Sequence, residues 1–292
     1  MNIVFCINRL GLEGLGATVT SLIRNCSDTS MIKLCFFCSN ITLLDKKNIK
    51  LLLTKESFRG KTEFIDLNIE KQFGHLASLH GDWTAYGRLL IPEIIKDEFA
   101  LYLDADLVIE LDILSLPMTK GKNIISAVHE GPVQQALDNQ LFIEKLNWEP
   151  LTPYFNSGVL LFNNEQWRET KASTKIKEIA EAYPAHLISH DQTLLNALCL
   201  GNFNQLPKEF NTSWPPDKKT SSNYNQRIIH FIGSPKPWDI SGKLIHNNYT
   251  IWAQYNTSFW NNNYGKITTE KLVRTWRIRN SIFKNIKHKL FN

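Results

Sequence analysis

The sequence predicts an α/β fold built around one mostly parallel β-sheet. Short apolar runs bounded by turn residues alternate along the chain with longer amphipathic segments, the order expected of strands and crossover helices. Some runs, such as 99–103, are apolar at every position, as in strands that are covered on both faces. The length of 292 residues suits one large α/β domain or two modest ones.

In the first third of the chain, strands and helices are expected to alternate in the order strand 2–8, helix 17–24, strand 32–38, helix 43–54, strand 64–67 and helix 84–92. Pro92 is expected to end the last helix, because proline disfavours helical backbone in the residue before it. Gly11, Gly14 and Gly16 follow the first strand without the G-x-G-x-x-G spacing of dinucleotide-binding turns, so a flexible loop is expected there.

The remainder is expected to contain strands 99–103, 107–109, 124–128, 159–162 and 228–232, alternating segments 203–206 and 210–214, and helices 134–146, 165–183 and 193–199. Pro184 follows the long amphipathic helix and is expected to end it. Residues 217–225 are polar and are expected to form a loop. Related enzymes are expected to differ in substrate choice through this loop and through residues 134–146.

The composition, 43% hydrophobic and 21% charged, is ordinary for a globular protein. The sequence contains no run of about 18 apolar residues, the length that a membrane-spanning helix needs. The apolar start at 2–8 is too short for a signal peptide and lacks a basic lead-in. Five cysteines, an odd number placed mainly in apolar segments, favour reduced thiols. Cys35 and Cys38 have a metal or redox spacing but lie in an expected strand, which favours core packing. A cytoplasmic protein is expected.

The positive charge is concentrated at the C-terminus. From residue 266 onward there are eight Lys or Arg residues and one acid, a net charge of +7, so the rest of a chain with a total of +5 carries −2. Apolar residues recur in this segment at the spacing of one helical face, at Leu272, Trp276, Phe283, Ile286 and Leu290.

We interpret 1–265 as the main domain and 266–292 as a basic amphipathic tail lying on the inner face of the cell membrane, which makes the protein peripheral to it. The alternative is a solvated or docked C-terminal helix. Nucleic acid is not the expected partner, because the body is slightly acidic and offers no second basic surface.

An acidic pair, Asp104 and Asp106, follows the apolar run 99–103. Two carboxylates at a strand end are costly unless a cation neutralises them, and divalent metals prefer such hard oxygen ligands. On an extended backbone, residues two apart face the same side, so both carboxylates can reach one ion. The alternative is a solvated turn that happens to contain two aspartates.

His230 lies in the apolar run 228–232 and is followed by a turn with Gly233, Lys236 and a tryptophan. Beside Asp104 and Asp106 it would complete an O,O,N ligand set, which favours Mn²⁺ and also suits Mg²⁺. A lysine in such a turn suits a phosphate group as a point charge. A single histidine in a strand is usually structural, so the interpretation depends on the whole motif.

Four further polar residues are candidates, each with an ordinary alternative. Arg88 either reaches a carboxylate or phosphate, or extends to the surface. Asn156 and Ser157 either bind a polyhydroxylated ligand or form a turn. Asp191, before Gln192 at a helix start, is either a ligand or an N-cap.

Taken together, these motifs resemble glycosyltransferase family 8, retaining enzymes with the GT-A fold, a Rossmann-like mostly parallel sheet flanked by helices. The resemblance covers roughly 3–260. It is carried by Asp-x-Asp at 104–106, His-x-x-Gly-x-x-Lys-Pro-Trp at 230–238, the arginine at 88, Asn-Ser-Gly at 156–158 and Asp-Gln at 191–192. Among its members, the chain is most similar to bacterial enzymes that add glucose or galactose to lipopolysaccharide, lipooligosaccharide or other surface glycans.

The resemblance implies the roles of the site residues. Asp104, Asp106 and His230 bind Mn²⁺, while Gly233 and Lys236 contact the diphosphate of UDP. The donor is surrounded by residues from several motifs, namely Cys6, Asn8, Arg88, Asp104, Ala105, Asn156, Ser157, Asp191 and Gln192. Asp191, Gln192 and Lys236 are the residues expected to take part in catalysis.

One position departs from the family pattern. Where the family usually has an aspartate for the uracil at the end of the first strand, this chain has Asn8. An asparagine carbonyl oxygen can still accept the uracil N–H.

The expected function is therefore metal-dependent, retaining transfer of glucose or galactose from a UDP-hexose to a glycan or glycolipid acceptor such as lipopolysaccharide. Gln192 is a poor nucleophile, which favours same-face attack guided by the leaving diphosphate. The alternatives are a nucleotidyltransferase that makes the nucleotide sugar and a non-catalytic membrane-surface binding protein.

Overall fold

The computed structural model describes residues 1–78, 81–118, 121–219 and 226–291, with only the backbone given for 290 and 291. Ten strands lie in these ranges: β1 Asn2–Ile7, β2 Lys33–Cys38, β3 Lys61–Asp66, β4 Phe99–Leu103, β5 Leu107–Ile109, β6 Ile125–Pro132, β7 Pro153–Asn163, β8 Asn204–Gln205, β9 Thr212–Ser213 and β10 Ile228–His230.

The prediction of a mostly parallel sheet is confirmed. Seven strands form it in the order β3-β2-β1-β4-β7-β6-β8, and β7 runs antiparallel to both of its neighbours. The consecutive apolar residues of β1 follow from burial on both faces: Ile3 and Phe5 pack in one core cluster and Val4 in the other. In this arrangement β1 and β4 are adjacent and end at the same edge of the sheet.

Helices cover both faces of the sheet, and the α-helices of the described ranges are α1 Leu12–Asn25, α2 Leu43–Lys55, α3 Ile69–Phe73, α4 Ile91–Ile94, α5 Asn164–Glu169, α6 Ala172–Ala182, α7 Asp191–Cys199, α8 Gly242–Ile245, α9 Tyr249–Tyr255, α10 Ser258–Tyr264, α11 Thr269–Arg277 and α12 Arg279–Phe291. The apolar side of α1 lies in the same core cluster as Ile3, and that of α7 in the cluster of Val4.

The flexible glycine loop is a wrong prediction, because α1 already begins at Leu12. Gly14 and Gly16 lie inside this helix, where they allow close packing. A Cβ on Gly14 would lie 2.5 Å from the carbonyl oxygen of Ala105, and one on Gly16 would lie 2.0 Å from Trp260. The absence of side chains at these two positions therefore lets α1 approach the turn between β4 and β5 and pack against α10.

Two predicted helix boundaries are also wrong. A 3₁₀ helix, Thr84–Leu90, continues into α4. Pro92 lies in the first turn of α4, where a backbone N–H would have no partner within the helix, so the lack of one in proline costs nothing. The long helix expected at 165–183 is divided into α5 and α6 by Lys171, whose φ of 53° is left-handed.

The helix expected at 134–146 is instead a 3₁₀ turn, Val133–Gln135, followed by a single π-helical segment, Leu141–Lys145. Between them the carboxylate of Asp138, fully buried, accepts hydrogen bonds from Tyr154 and Thr193. This tertiary contact overrides the local helical pattern. The alternating segments contain only the short strands β8 and β9, and residues 220–225 of the expected polar loop lie outside the described residues.

A second sheet of three strands, in the order β5-β10-β9, determines where His230 lies. β10 runs antiparallel to β5, with His230 opposite Leu107, and the amide of Phe231 donates to the carbonyl of Asp106 at 3.1 Å. On the other side, the amide of Asp104 donates to the carbonyl of Gly158 at 2.9 Å. The two sheets thus meet at the acidic turn.

The tail forms two helices, α11 and α12, rather than one. Ile278, between them, and Ile282 are buried against Ile245, so the tail is docked on the body. Trp276 and Phe283 of the predicted apolar stripe remain 70% and 67% exposed. The side chain of Leu290, at the end of that stripe, lies outside the described residues. Within the described ranges, no helix has both the length and the apolar character needed to cross a bilayer.

Candidate active site

The structure brings together the three residues predicted to bind metal. Asp104 and Asp106 lie in the turn between β4 and β5, and His230 ends β10 beside them. One ligand atom from each lies within 4.8 Å of the other two. The Nε2 atom of His230 is 3.7 Å from Asp104 Oδ2 and 3.3 Å from Asp106 Oδ1.

These residues fit a divalent cation. Asp106 Oδ1 is buried and accepts no hydrogen bond within the described part of the chain, which leaves a carboxylate oxygen available as a ligand. Gly158 keeps the space open: a Cβ there would lie 2.3 Å from His230 Cε1 and 2.9 Å from Asp104 Oδ2. Two carboxylates and one imidazole suit Mn²⁺, and Mg²⁺ less well.

A residue that the sequence analysis missed, Asn211, orients His230. Its Oδ1 lies 3.0 Å from His230 Nδ1, and its Nδ2 donates to Asn156 Oδ1 at 3.0 Å. Because the amide nitrogen is donated to Asn156, the amide oxygen faces the imidazole and accepts from Nδ1–H. The neutral ring then presents the lone pair of Nε2 to the two aspartates, as a metal ligand must. An isolated asparagine before a two-residue strand carries no motif that would have revealed this role.

Lys236 lies in the turn that follows β10 and reaches back to the acidic turn. Its Nζ is 2.7 Å from Asp106 Oδ2 and also donates to the carbonyl of Phe231. Burial by itself would raise the pKa of Asp106, but the ammonium charge of Lys236, together with the contact to His230, outweighs it and holds that pKa well below its usual range. Gly233, three residues before Lys236, has a φ of 71°, which favours glycine.

Arg88 joins the acidic turn to the Asp191 side of the site. It is 4% exposed, so the alternative of an arginine extended to the surface is wrong. Its Nη2 is 3.0 Å from Asp104 Oδ1 and its Nε is 3.1 Å from Asp191 Oδ2. Nη1 donates to both the carbonyl and the hydroxyl oxygen of Ser157 at 2.7 Å, and the guanidinium lies 4.3 Å from the ring centre of Tyr102.

Asp191 is the first residue of α7 rather than its N-cap, which is His190, so the capping alternative is wrong. Its carboxylate accepts from the hydroxyl of Ser157 at 3.2 Å. Burial raises the pKa of Asp191, and the charge of Arg88 opposes that shift. A carboxylate so paired is fixed in orientation.

The side chain of Gln192 is also fixed. Its Oε1 accepts from the amide of Ser157 at 2.9 Å and its Nε2 donates to the hydroxyl of Tyr154 at 3.1 Å. Asn156 forms the opposite side of this polar group, and its Oδ1 also accepts from the amide of Gly158 at 2.9 Å. Ser157, Asp191 and Gln192 therefore form one hydrogen-bonded arrangement beside Arg88, and Asn156 precedes Ser157 in β7.

At the end of β1, Asn8 Oδ1 accepts from the amide of Gly11 at 2.8 Å, and its Nδ2 donates to Asp82. Asp82, which the sequence analysis did not select, therefore brings a carboxylate to the strand end where the family usually has one. Cys6 lies beside Gly87, and burial raises the pKa of its thiol far above the usual range, so it remains a neutral thiol.

Ala105 lies between the two aspartates and faces α1. Its carbonyl oxygen accepts from the hydroxyl of Thr18 at 3.0 Å, and the same hydroxyl accepts from the amide of Leu107 at 3.0 Å. Helix α1 thereby holds the backbone of the acidic turn.

Fold and site together define a GT-A glycosyltransferase. The structure matches that of the galactosyltransferase LgtC, solved in complex with donor and acceptor sugar analogues, with a TM-score of 0.73 and 22% identity over 92% of this chain and 98% of that one. At this identity the likeness shows the fold.

Residues 2–241 match the model of glycosyl transferase family 8, and the chain belongs to that family. It is 26% identical over 280 residues to general stress protein A of Bacillus subtilis, covering 88% of this chain and 95% of the relative. It is also 26% identical over 252 residues to a lipopolysaccharide 1,2-glucosyltransferase of Escherichia coli, covering 82% and 72%. The tail lies beyond the residues that match the family model.

Proposed function

We propose that this glycosyltransferase moves glucose or galactose, with retention of anomeric configuration, from a UDP-hexose to a surface glycan such as lipopolysaccharide. The observation that carries the proposal is the convergence of Asp104, Asp106, His230 and Lys236 at one place, next to the fixed polar group around Arg88. The lipopolysaccharide glucosyltransferase among the relatives supports the choice of sugar and acceptor.

Asp104, Asp106 and His230 would hold Mn²⁺, or Mg²⁺ as second choice. The bound cation would neutralise negative charge on the diphosphate leaving group. The chain itself contributes the open carboxylate oxygen of Asp106 and the Nε2 lone pair of His230.

Lys236 would stabilise the leaving group as its negative charge grows. Its ammonium group is held 2.7 Å from Asp106, which would put it beside the diphosphate of a metal-bound donor. An interaction that strengthens as the bond breaks lowers the barrier, whereas one of equal strength throughout only improves binding. Gly233 leaves the turn open for close approach of a phosphate to its backbone.

The donor sugar would lie against Arg88, Asn156, Ser157, Asp191 and Gln192. Asp191 supplies the one carboxylate among these five residues, but its pairing with Arg88 and Ser157 makes it a poor nucleophile. Gln192 is neutral. These features support attack by the acceptor hydroxyl on the face from which the diphosphate departs.

The nucleotide base would lie at the carboxyl end of β1, near Cys6, Asn8 and Ala105. The side-chain oxygen Oδ1 of Asn8 already accepts a hydrogen bond from the amide of Gly11. The nearby carboxylate of Asp82 is therefore the acceptor that we propose for the uracil N–H. Asn8 then orients Asp82 through its amide group.

The tail would hold the enzyme on the inner face of the cell membrane, where a glycolipid acceptor is met. Exposed Leu272, Trp276 and Phe283 lie among basic residues, and such a surface enters the headgroup region of anionic bilayers. This arrangement would make the protein cytoplasmic and peripheral.

The proposal is tested by incubating the protein with UDP-glucose or UDP-galactose and a lipopolysaccharide core acceptor, with Mn²⁺, with Mg²⁺ or with chelator. We expect UDP release and an α-linked product from an α-linked donor, both abolished by chelator. Release of diphosphate or nucleoside triphosphate turnover would indicate a nucleotidyltransferase, and binding without UDP release would indicate a non-catalytic protein.

A further inference from the structure

The turn that carries Lys236 is closed by Asp239. The amide of Lys236 donates to Asp239 Oδ2 at 2.6 Å, and the amide of Asp239 donates back to the carbonyl of Lys236 at 3.1 Å. The side chain of Asp239 is 5% exposed. A carboxylate this deeply buried requires a cation beside it, because burial without one is costly.

That cation comes from the tail. Arg274 of α11 places Nε 2.6 Å from Asp239 Oδ1 and Nη2 3.1 Å from Asp239 Oδ2. The two parallel contacts form a bidentate fork, which fixes direction as well as charge. Asp239 Oδ2 is therefore shared between the backbone of Lys236 and the guanidinium of Arg274.

Other contacts keep α11 and α12 in place around this fork. Lys271 Nζ lies 2.5 Å from Glu13 on α1, and Ile278 and Ile282 are buried against Ile245. Asn285 Nδ2 donates to the carbonyl of Ser234, in the same turn as Lys236, at 3.4 Å. The tail therefore contacts the turn at two points and α1 at a third.

We propose that Arg274 is a positioning residue for the transfer reaction: through Asp239 it holds the backbone of Lys236 so that the ammonium group faces the leaving diphosphate. The inference rests on the proposed role of Lys236. The tail is then part of the catalytic unit as well as a membrane-binding segment. Without Arg274, Asp239 turns toward water and releases the amide of Lys236.

The test uses the full-length protein, UDP-hexose, Mn²⁺ and a short soluble acceptor without lipid, so that membrane attachment does not affect the rate. Arg274→Ala is expected to lower kcat about 10-fold to 100-fold, the range in which small misplacements of catalytic groups act. The KM for the donor is expected to change less than about 3-fold, because the effect lies in the transition state. Arg274→Lys, which keeps one charge without the fork, is expected to recover part of the rate.

Arg59→Ala is the matched control. Arg59 forms an Arg–Asp pair with Asp28 at 2.8 Å, but both side chains are exposed and far from the turn in sequence. Its loss should leave kcat unchanged. In a double-mutant cycle, Arg274→Ala should have no further effect on kcat once Asp239→Ala is present, because both changes act through one contact.

Equal kcat for Arg274→Ala, Arg59→Ala and the unaltered protein would overturn the inference, as would additive losses in the cycle. If Arg274→Ala does not fold, Arg274→Lys decides: an unchanged kcat with it contradicts the need for a fork. Failure of the proposed function is seen separately, as no UDP release by the unaltered protein or no loss of kcat in Lys236→Ala.

Discussion

The edge of the seven-stranded sheet where β4 ends, at the acidic turn, and the C-terminal tail both depend on charge, but they present it in opposite ways. At the edge, Arg88, Asp104 and Asp191 have partly or fully buried side chains and lie in contact with opposite charges. In the tail, most basic residues face solvent beside exposed apolar side chains.

The difference corresponds to two kinds of recognition. Buried, paired charges are held in one geometry and are little screened by salt, which suits bond breaking at a defined atom. Exposed charges are screened within about a Debye length and fit any anionic surface of suitable extent. Lys271 and Arg274 are the exceptions, because each pairs with a buried carboxylate, Glu13 and Asp239 respectively. Each of the following predictions alters one side of this comparison.

The largest effect is expected from removing a metal ligand at the edge. Loss of an outer partner of a ligand commonly costs about 10-fold to 100-fold, so Asp106→Asn is expected to lower Mn²⁺-dependent transfer by more than about 100-fold. Thermal unfolding should remain cooperative. Turnover near the normal rate, and unaffected by chelator, would show that the acidic turn does not bind the essential cation.

Lys236→Ala is expected to raise the activation free energy by roughly 3 kcal/mol, which lowers kcat about 100-fold. The donor KM is expected to change less, since a charge aimed at the leaving group acts in the transition state. Steady-state kinetics with varied UDP-hexose measure both parameters. A rise in KM alone would mean that Lys236 binds phosphate equally in the ground state.

Asn211 provides a sharper probe of the edge, because its two contacts can be separated. Asn211→Ala removes both and is expected to weaken Mn²⁺ binding about 10-fold to 100-fold, measured by electron paramagnetic resonance without substrate. Asn211→Asp keeps an acceptor for His230 but no donor for Asn156, so metal affinity should persist while donor KM rises.

The control for this pair is Asn164→Ala. Asn164 is fully buried and donates to the carbonyl of Asp97, so its loss tests general destabilisation. Equal Mn²⁺ affinity in all three variants would exclude a role for Asn211 in orienting His230.

At the nucleotide end of the site, we expect UDP, in the presence of Mn²⁺, to stabilise the protein against heat more than GDP, ADP or CMP. Asp82→Ala should weaken UDP binding by about 1 kcal/mol or somewhat more, the loss of a hydrogen bond to a carboxylate. Asp66→Ala, which removes an exposed carboxylate from the end of β3, serves as the control. A preference for GDP would contradict the assignment of uracil to this strand end.

The smallest effect is expected on the exposed side of the comparison. Trp276→Ala should weaken binding to anionic vesicles several-fold, because complete burial of an aromatic side chain contributes roughly 1.5–3 kcal/mol and an interface buries only part of it. Transfer to a soluble acceptor should be unaffected, and Leu43→Ala, at another exposed apolar position, should change neither. Unaltered sedimentation of Trp276→Ala with these vesicles would place membrane contact elsewhere.

The sequence by itself determined the fold class and the principal motifs. Continuous apolar runs predict strands buried on both faces, and an acidic pair after one of them predicts a cation site, because both inferences use only neighbouring residues. The pairing of Asp104 and Asp106 with His230 was predicted differently, from the motifs taken together and their resemblance to the family, because nothing local links the two stretches of the chain.

Only the tertiary structure decided which side chains complete these motifs. Gly14 and Gly16 lie in a helix because Ala105 and Trp260 approach them, and nothing local signals that approach. Asn211 and Arg274 acquire their partners across strands and helices distant in sequence. Local patterns report periodicity and propensity, whereas a hydrogen bond between residues 35 positions apart depends on how whole elements pack. The tail shows this most clearly: its composition predicts a surface helix, and its packing adds a contact with the turn that carries Lys236.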